Sequence, residues 1–280
     1  MSYEKFKANV MAAKIMEDRT RASAFINHTV REYEGLLRNV GDSVTIKGAG
    51  KVAFTHTADG KPIQLGEPQT PEGTNAILTV KQQDAFNFMV PDIDAAQGAK
   101  DALSLYRRQV SNELAMRQDR YIASMAESPL AKLASANAQT ADKDTILEMI
   151  DDGVQWLQEG DVPTTEKVTA FVTPAAYKLI RQNYDKVDTD NSEMLKNGVV
   201  ARYNGIDIVM TNNVVRKTVS NADVDFCMIM TDKAIAFVDA ITKIEAKRAN
   251  NYIADEVRGV SLYDAKLIRP KELYVLNIKY

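Results

Sequence analysis

The stretch Phe86-Asn-Phe-Met-Val-Pro-Asp-Ile-Asp-Ala-Ala-Gln97 ends a strand, caps a helix and launches a long one in a single pass. Asp94 offers a side-chain acceptor to the free N–H groups of a helix start. Gln97, three residues on, completes a carboxylate version of the capping box. An uninterrupted helical pattern then runs to Ser128, where Pro129 stops it for want of a backbone donor. A helix of that length is a rod of roughly 50 Å. Ala99, Leu103, Tyr106, Val110, Leu114, Tyr121 and Met125 fall near one stripe and are the predicted buried face. Arg107, Arg108, Arg117 and Arg120 fill much of the remainder and form either a solvated or salt-bridged face, the favoured reading, or a contact with a neighbour or with nucleic acid.

Composition bounds what surrounds this rod. A chain of 280 residues makes one or two domains and can bury a real core. A net charge of −3 argues against a dedicated nucleic-acid binder, whose domain would be basic. Cys227 is the only cysteine, so no internal disulfide forms. No apolar run reaches membrane-spanning length, and Met-Ser-Tyr-Glu-Lys begins no signal peptide, so the chain is expected to fold in a cytoplasm.

The first forty residues read as a polar, mostly helical arm. Phe6, Val10, Ile15, Phe25, Ile26 and Val30 are too sparse in it to make a core alone. It is either a frayed terminus, the reading favoured by position, or an arm that packs on a neighbouring subunit. From Gly41 to Val80 the pattern is a long hairpin: Ser43–Ile46, Val52–Phe54 and Ala76–Val80 are strand-like around a Pro/Gly-rich tip. After the long helix, an Ala/Ser/Asn/Gln-rich linker (131–141) leads to a second α/β unit. Ile146, Ile150, Val154 and Leu157 mark a helix ending near Gly160. Val168–Val172 is a strand, and Pro174 suits the first turn of the next helix. Asn204-Gly205 between two apolar runs is a strong hairpin signal. Asp225–Met230, Val257–Leu262, Leu267-Ile268 and Leu273–Ile278 are strand-like, and Ala234–Phe237 is apolar without a clear period.

Little of the chain carries catalytic chemistry. His28 and His56 are the only histidines, and with one cysteine they make no cluster of metal-ligand spacing. Cys227 lies in Phe226-Cys-Met-Ile-Met230 and reads as a small buried hydrophobe. Gly48-Ala-Gly-Lys51 fails as a phosphate loop, because Thr45 replaces the first glycine and Val52 the Ser/Thr that would hold magnesium. Asn27-His-Thr29 is a sequon without a secretory signal. Asp92 and Asp94 serve a helix end, and Asp151-Asp152 has no visible polar partner. No cofactor is expected.

The order of parts resembles the major capsid proteins of tailed bacteriophages, the Hong Kong 97 fold. Gly41-Asp-Ser-Val-Thr-Ile46 resembles the start of the family's extended loop, and Phe86 to Gln97 resembles its aromatic strand and spine-helix start. Val172-Thr-Pro-Ala-Ala-Tyr-Lys-Leu-Ile180 is similar to the strand–Pro–helix element of its axial domain, and Gly198 to Asn213 to that domain's hairpin. Gly259 to Pro270 is similar to its returning strand, except that Asp264 stands where glycine is common. The resemblance implies an α+β fold with an N-terminal arm (1–41), an extended β-hairpin loop (42–81) and a peripheral domain with the spine helix (82–140). An axial α/β domain (141–240) and returning peripheral strands (241–280) complete it.

The function implied is a shell protein, not an enzyme, that assembles through pentamers and hexamers into an icosahedral capsid around double-stranded DNA. Its expected partners are itself, a portal, the packaged DNA and a scaffolding protein encoded separately, since the arm begins almost at Met1. Residues assigned to assembly are Lys47, Lys51, His56, Lys61, Arg107, Arg117, Asn204 and Gly205, and those assigned to face DNA are Arg19, Arg21 and Arg108. Some family members crosslink a loop lysine to a neighbour's asparagine; Lys47, Lys51 and Lys61 lie in that region and are read as solvated. Two alternatives remain. One is an encapsulin-like nanocompartment shell, and the other is a ligand-binding or enzymatic domain built on Pro163 to Ala240.

Overall fold

The computed structural model describes Ile15, Asp18, His56 and residues 23–37, 39–47, 75–91, 100–183, 199–219, 222–248 and 254–280. Strands β1 (Ser43–Lys47) and β2 (Asn75–Thr79) pair antiparallel, Ser43 against Thr79, as the base of the expected hairpin. Strand β3 (Gln82–Pro91) leads toward helix α1 (Lys100–Ala123), whose last turn tightens into a 3-10 turn at Ser124–Glu127 before Pro129. The described helix, Lys100–Ala123, is 24 residues and about 36 Å long. The cap assigned to Asp94 and Gln97 lies outside the described residues, as does the strand expected at Val52–Phe54.

The linker contributes two short strands, β4 (Lys132–Leu133) and β5 (Gln139–Thr140), and is not a plain spacer. Then come α2 (Ile146–Glu159), β6 (Val168–Val172) and α3 (Pro174–Arg181), which Thr173 caps by accepting from Ala176 N–H. Strands β7 (Val199–Tyr203) and β8 (Ile206–Met210) flank a tight turn in which Asn204 (φ 48°) and Gly205 (φ 81°) are both left-handed, as a type I′ turn requires. Strands β9 (Val215–Val219), β10 (Ala222–Thr231), β11 (Ile235–Arg248), β12 (Ala254–Leu267) and β13 (Leu273–Lys279) follow. The ambiguous Ala234–Phe237 segment thus leads into a 14-residue strand.

An eight-stranded sheet has the path β4-β13-β10-β6-β8-β7, with β5 on β13 and β9 on β10. A three-stranded sheet has the order β11-β12-β3. The segment 241–280, expected to return as one, is therefore divided: β12 pairs with β3, whereas β13 lies beside β10 in the larger sheet.

Strand alternation explains how the larger sheet is buried on both faces. Met228 and Met230 of β10, Phe171 of β6 and Leu273 and Val275 of β13 point into one core with Phe25, Ile26 and Ile122. Cys227, Ile229, Ala170, Leu276 and Ile278 point the other way, into a second core under α2 and α3. A third, smaller core joins Ile46 and Leu78 of the hairpin base to Ala236, Val238 and Leu262 of β11 and β12. The arm departs from expectation. Phe25 and Ile26 are fully buried, Phe25 stacks on Phe171 at 4.1 Å, and Val30 bridges Ala236 of β11, so this part is neither frayed nor α-helical.

Gly153 sets the approach of α2 to the sheet. A Cβ there would lie 2.6 Å from Ile229 Cδ1 and 2.9 Å from Tyr274 Cδ1. Gly153→Ala is expected to lower stability by about 1–3 kcal/mol through overpacking, despite its better helix propensity. Chemical denaturation checks this; an unchanged midpoint would refute the close contact.

Candidate functional site

Helix α1 is tied through polar side chains to the arm, to β3, β11 and β12, and to the loop after β8. Its buried stripe is Ser111, Leu114, Ala115, Gln118, Asp119, Ile122 and Ala123; of the stripe expected from sequence Leu114 lies in it, and Ala99 and the side chain of Leu103 lie outside what is described. Tyr106 is 39% exposed and stacks on Phe88, and Tyr121 and Met125 are only partly buried. Hydrophobic periodicity does not find Ser111, Gln118 and Asp119 because hydrogen bonds, not apolar contact, satisfy them there.

Asp119, 1% exposed, is the tightest of these anchors. Its carboxylate accepts the Ser23 hydroxyl, the N–H groups of Ala24 (2.9 Å) and Phe25 (3.2 Å), and Asn213 Nδ2 (3.2 Å). Burial holds its carboxyl above the ordinary aspartate value, and these donors pull it back. The arm, the helix and the loop after β8 thereby meet at one side chain. Its neighbour in sequence, Gln118, donates from Nε2 to Asp239 Oδ1 (3.2 Å) of β11 and Ser261 Oγ (3.3 Å) of β12.

Two tyrosine–aspartate pairs finish the seam. Tyr121 donates to Asp264 Oδ1 at 2.9 Å, and Tyr263 to Asp84 Oδ2 at 3.0 Å, with the two rings edge to face. Burial and then the Asp264 charge push the Tyr121 hydroxyl up to about 12; burial and Asp84 raise Tyr263 as well. Asp264 also accepts from Lys81 N–H and Ala265 N–H. β12 runs through Asp264 without a turn, and its carboxylate ties the hairpin exit to the helix.

The residues nominated from sequence occupy separate elements. Arg107 pairs with Asp18 at 3.1 Å and so binds the arm to its own helix. Arg117 pairs with Glu113 (3.2 Å) and Asp84 (3.5 Å), and Arg108 is exposed. Asn204 and Gly205 form the exposed β7–β8 turn, Lys47 ends β1 in solvent, and His56 is exposed. Lys51, Lys61, Arg19 and Arg21 lie outside the described residues. His28 is buried, with Nδ1 2.9 Å from Asp232 and 3.2 Å from Thr169 Oγ1. Asp119 and Tyr263 were missed from sequence, although an aspartate between Ala115 and Ile122 on a helical face was a visible clue; Asp264 and Tyr121 were noted, but not as a pair. Among the described residues no group of three or more His, Cys, Asp or Glu is placed to hold a metal ion.

No family profile and no curated protein matches the chain. Solved structures do. A structure from Mycobacterium phage Che8 is 25% identical, with a TM-score of 0.67 over 90% of each chain. The fold is that of a tailed-phage major capsid protein. The capsid structure of cyanophage P-SCSP1u is similar at 17% identity and a TM-score of 0.66, over 92% of this chain and 88% of that one. A virus-like particle from Pyrococcus furiosus matches at 11% identity and a TM-score of 0.57, over 96% and 99%.

Asp119→Ala is expected to cost about 3–5 kcal/mol, because it strands buried donors. Hydrogen exchange should speed up first at Ala24 and Phe25; exchange unchanged there would refute the anchor. The thiol of Cys227, pushed up to about 12 by burial, should resist thiol reagents in the folded protein near neutral pH and react only on unfolding.

Proposed function

We propose that this chain is the major capsid protein of a tailed phage with the Hong Kong 97-like fold, assembling through pentamers and hexamers into an icosahedral shell around double-stranded DNA. The observation that carries this reading is the likeness to phage capsid structures over about nine-tenths of the chain, reaching 25% identity. Its role is structural and not catalytic.

The geometry supports how such a subunit would work. The two-sided sheet under α2 and α3 supplies an axial domain for closed rings, whose contacts must be heterologous to close by rotation. The β1–β2 ribbon, anchored at its base by Ile46 and Leu78, is the root of a loop that overlaps a neighbour. Of the nominated assembly residues, Lys47, His56, Asn204 and Gly205 are solvent-exposed in the single subunit and available for such contacts. Arg108 of α1, with Arg19 and Arg21 of the arm, is assigned to the genome side, where binding should weaken with salt and ignore sequence. Portal and scaffolding protein are the further partners, and assembly takes place in the host cytoplasm.

A second reading keeps the fold and changes the contents. The likeness in fold to a virus-like particle from Pyrococcus furiosus is what supports this second reading, an encapsulin-like shell.

Negative-stain electron microscopy with light scattering, over a concentration series, tests both. Rings, tubes or closed shells are expected, and DNA or protein inside them separates the two readings. A monodisperse monomer that persists on co-expression with the neighbouring genes would overturn the shell altogether.

A further inference from the structure

Strand β3 ends the three-stranded sheet, with β12 as its only strand neighbour among the described residues. The direction of its backbone groups follows from the far side of that sheet. Ile235 and Phe237 of β11 exchange backbone bonds with Val30, so the β12 residues opposite them, Leu267 and Ala265, turn toward the β3 side. Every second residue back along β12 does the same. Tyr263, Ser261, Gly259 and Val257 thus bond Gln82, Asp84, Phe86 and Phe88 of β3. The residues between, Gln83, Ala85, Asn87 and Met89, point their N–H and C=O groups away from the sheet, and all four are exposed.

A soluble protein usually blunts an edge of this length with lysine, a bulge or a proline. Strand β3 has no lysine, and its register on β12 runs without a shift. Asp84 is its one ionisable residue, and the carboxylate is taken by the Tyr263 hydroxyl at 3.0 Å and Arg117 at 3.5 Å. Pro91 is next in the outward series and has no N–H to offer, so the open ladder stops only where the strand does. On the side facing α1, half-buried Phe86 and Phe88 stack at 6.4 Å, and Phe88 meets Tyr106. The edge is uncharged, straight and able to form hydrogen bonds along its length.

We propose that β3 pairs antiparallel with β3 of a second copy of this chain, about a two-fold axis normal to the sheet. Two three-stranded sheets then become one of six strands. This rests on the shell reading above and specifies a contact between its rings. Ring contacts are heterologous and join unlike surfaces, whereas rings lying side by side can meet through an isologous one. Antiparallel pairing within one sheet leaves the α1 side of both copies on the same side, as a wall with an inside and an outside requires. With Phe86 opposite its counterpart, Ala85 falls opposite Asn87 and Gln83 opposite Met89. Every outward N–H and C=O of these four residues then finds a partner, and no like charges face each other. The two Phe86 side chains sit at a non-hydrogen-bonded position, where cross-strand neighbours lie closest.

Phe86→Cys tests the pairing, because a disulfide at a single site needs the same residue from two copies, which a ring contact does not bring together. Mild oxidation of its assembled particles should turn most of the chain into covalent dimers, absent from unmodified particles, where Cys227 is buried. Particles that yield no dimer would reject the pairing and leave the shell reading intact. Ala85→Pro gives an independent measurement, since it removes an outward N–H and none of the bonds to β12. This variant is expected to melt with the unmodified chain and to form rings without closed shells. Closed shells of unchanged size and yield would overturn the pairing. Failure of the unmodified chain to form particles, even with its neighbouring genes, would instead remove the shell reading and the contact with it.

Discussion

The two-sided burial of β10 and β13 is the constraint on which the rest of the molecule depends. Each strand sends alternate residues into different cores, so neither face can tolerate a polar side chain without a partner. A sheet buried on both faces needs two covers. One is the helix pair α2 and α3; the other is assembled from α1, the arm and the start of β11. The second cover is composite, and its pieces come from distant parts of the chain. Polar anchors of fixed geometry, above all Asp119, hold those pieces in register where apolar contact alone would allow sliding.

That division also explains what could be read from the sequence and what could not. The α/β unit was legible because its signals are local. Thr173-Pro174 starts a helix, Asn204-Gly205 fixes a turn by backbone conformation, and Gly160 ends α2. The long helix was legible in existence and at its end, where Pro129 intervenes, but its buried face was not. Gln118 and Asp119 are held by partners 94 to 143 residues away, and no periodicity of apolar residues reports that. The arm was misjudged for the same reason. Phe25 and Ile26 look isolated in sequence, yet they complete a core whose other members lie beyond residue 120. The allocation of β13 to the larger sheet is a pairing choice between strands of similar composition, which composition cannot decide.

The candidate surfaces follow the same logic. Arginines proposed from sequence as contacts prove to be partly spoken for: Arg107 binds Asp18, and Arg117 shares Glu113 and Asp84. What remains open to a neighbour is less charged and more geometric, namely a hairpin base, a tight turn and the outer edge of β3. For a subunit that must repeat around a closed shell, many modest contacts of this kind serve better than one strong patch.

The position of β13 in the chain has a consequence for the timing of folding. Strands β6, β8 and β10 leave the ribosome well before residues 273–279, yet β10 has no neighbour on that flank until β13 arrives. Phe25 and Ile26 wait longer still, through more than two hundred residues of synthesis, for Leu273 and Val275 to close their core. Contacts so far apart in sequence make for slow, late closure. Until then the nascent chain carries an open sheet edge and uncovered apolar faces, a state that invites chaperone binding. Release from that state would coincide with completion of the surfaces through which copies meet, so a chain still being made has little to offer a neighbour.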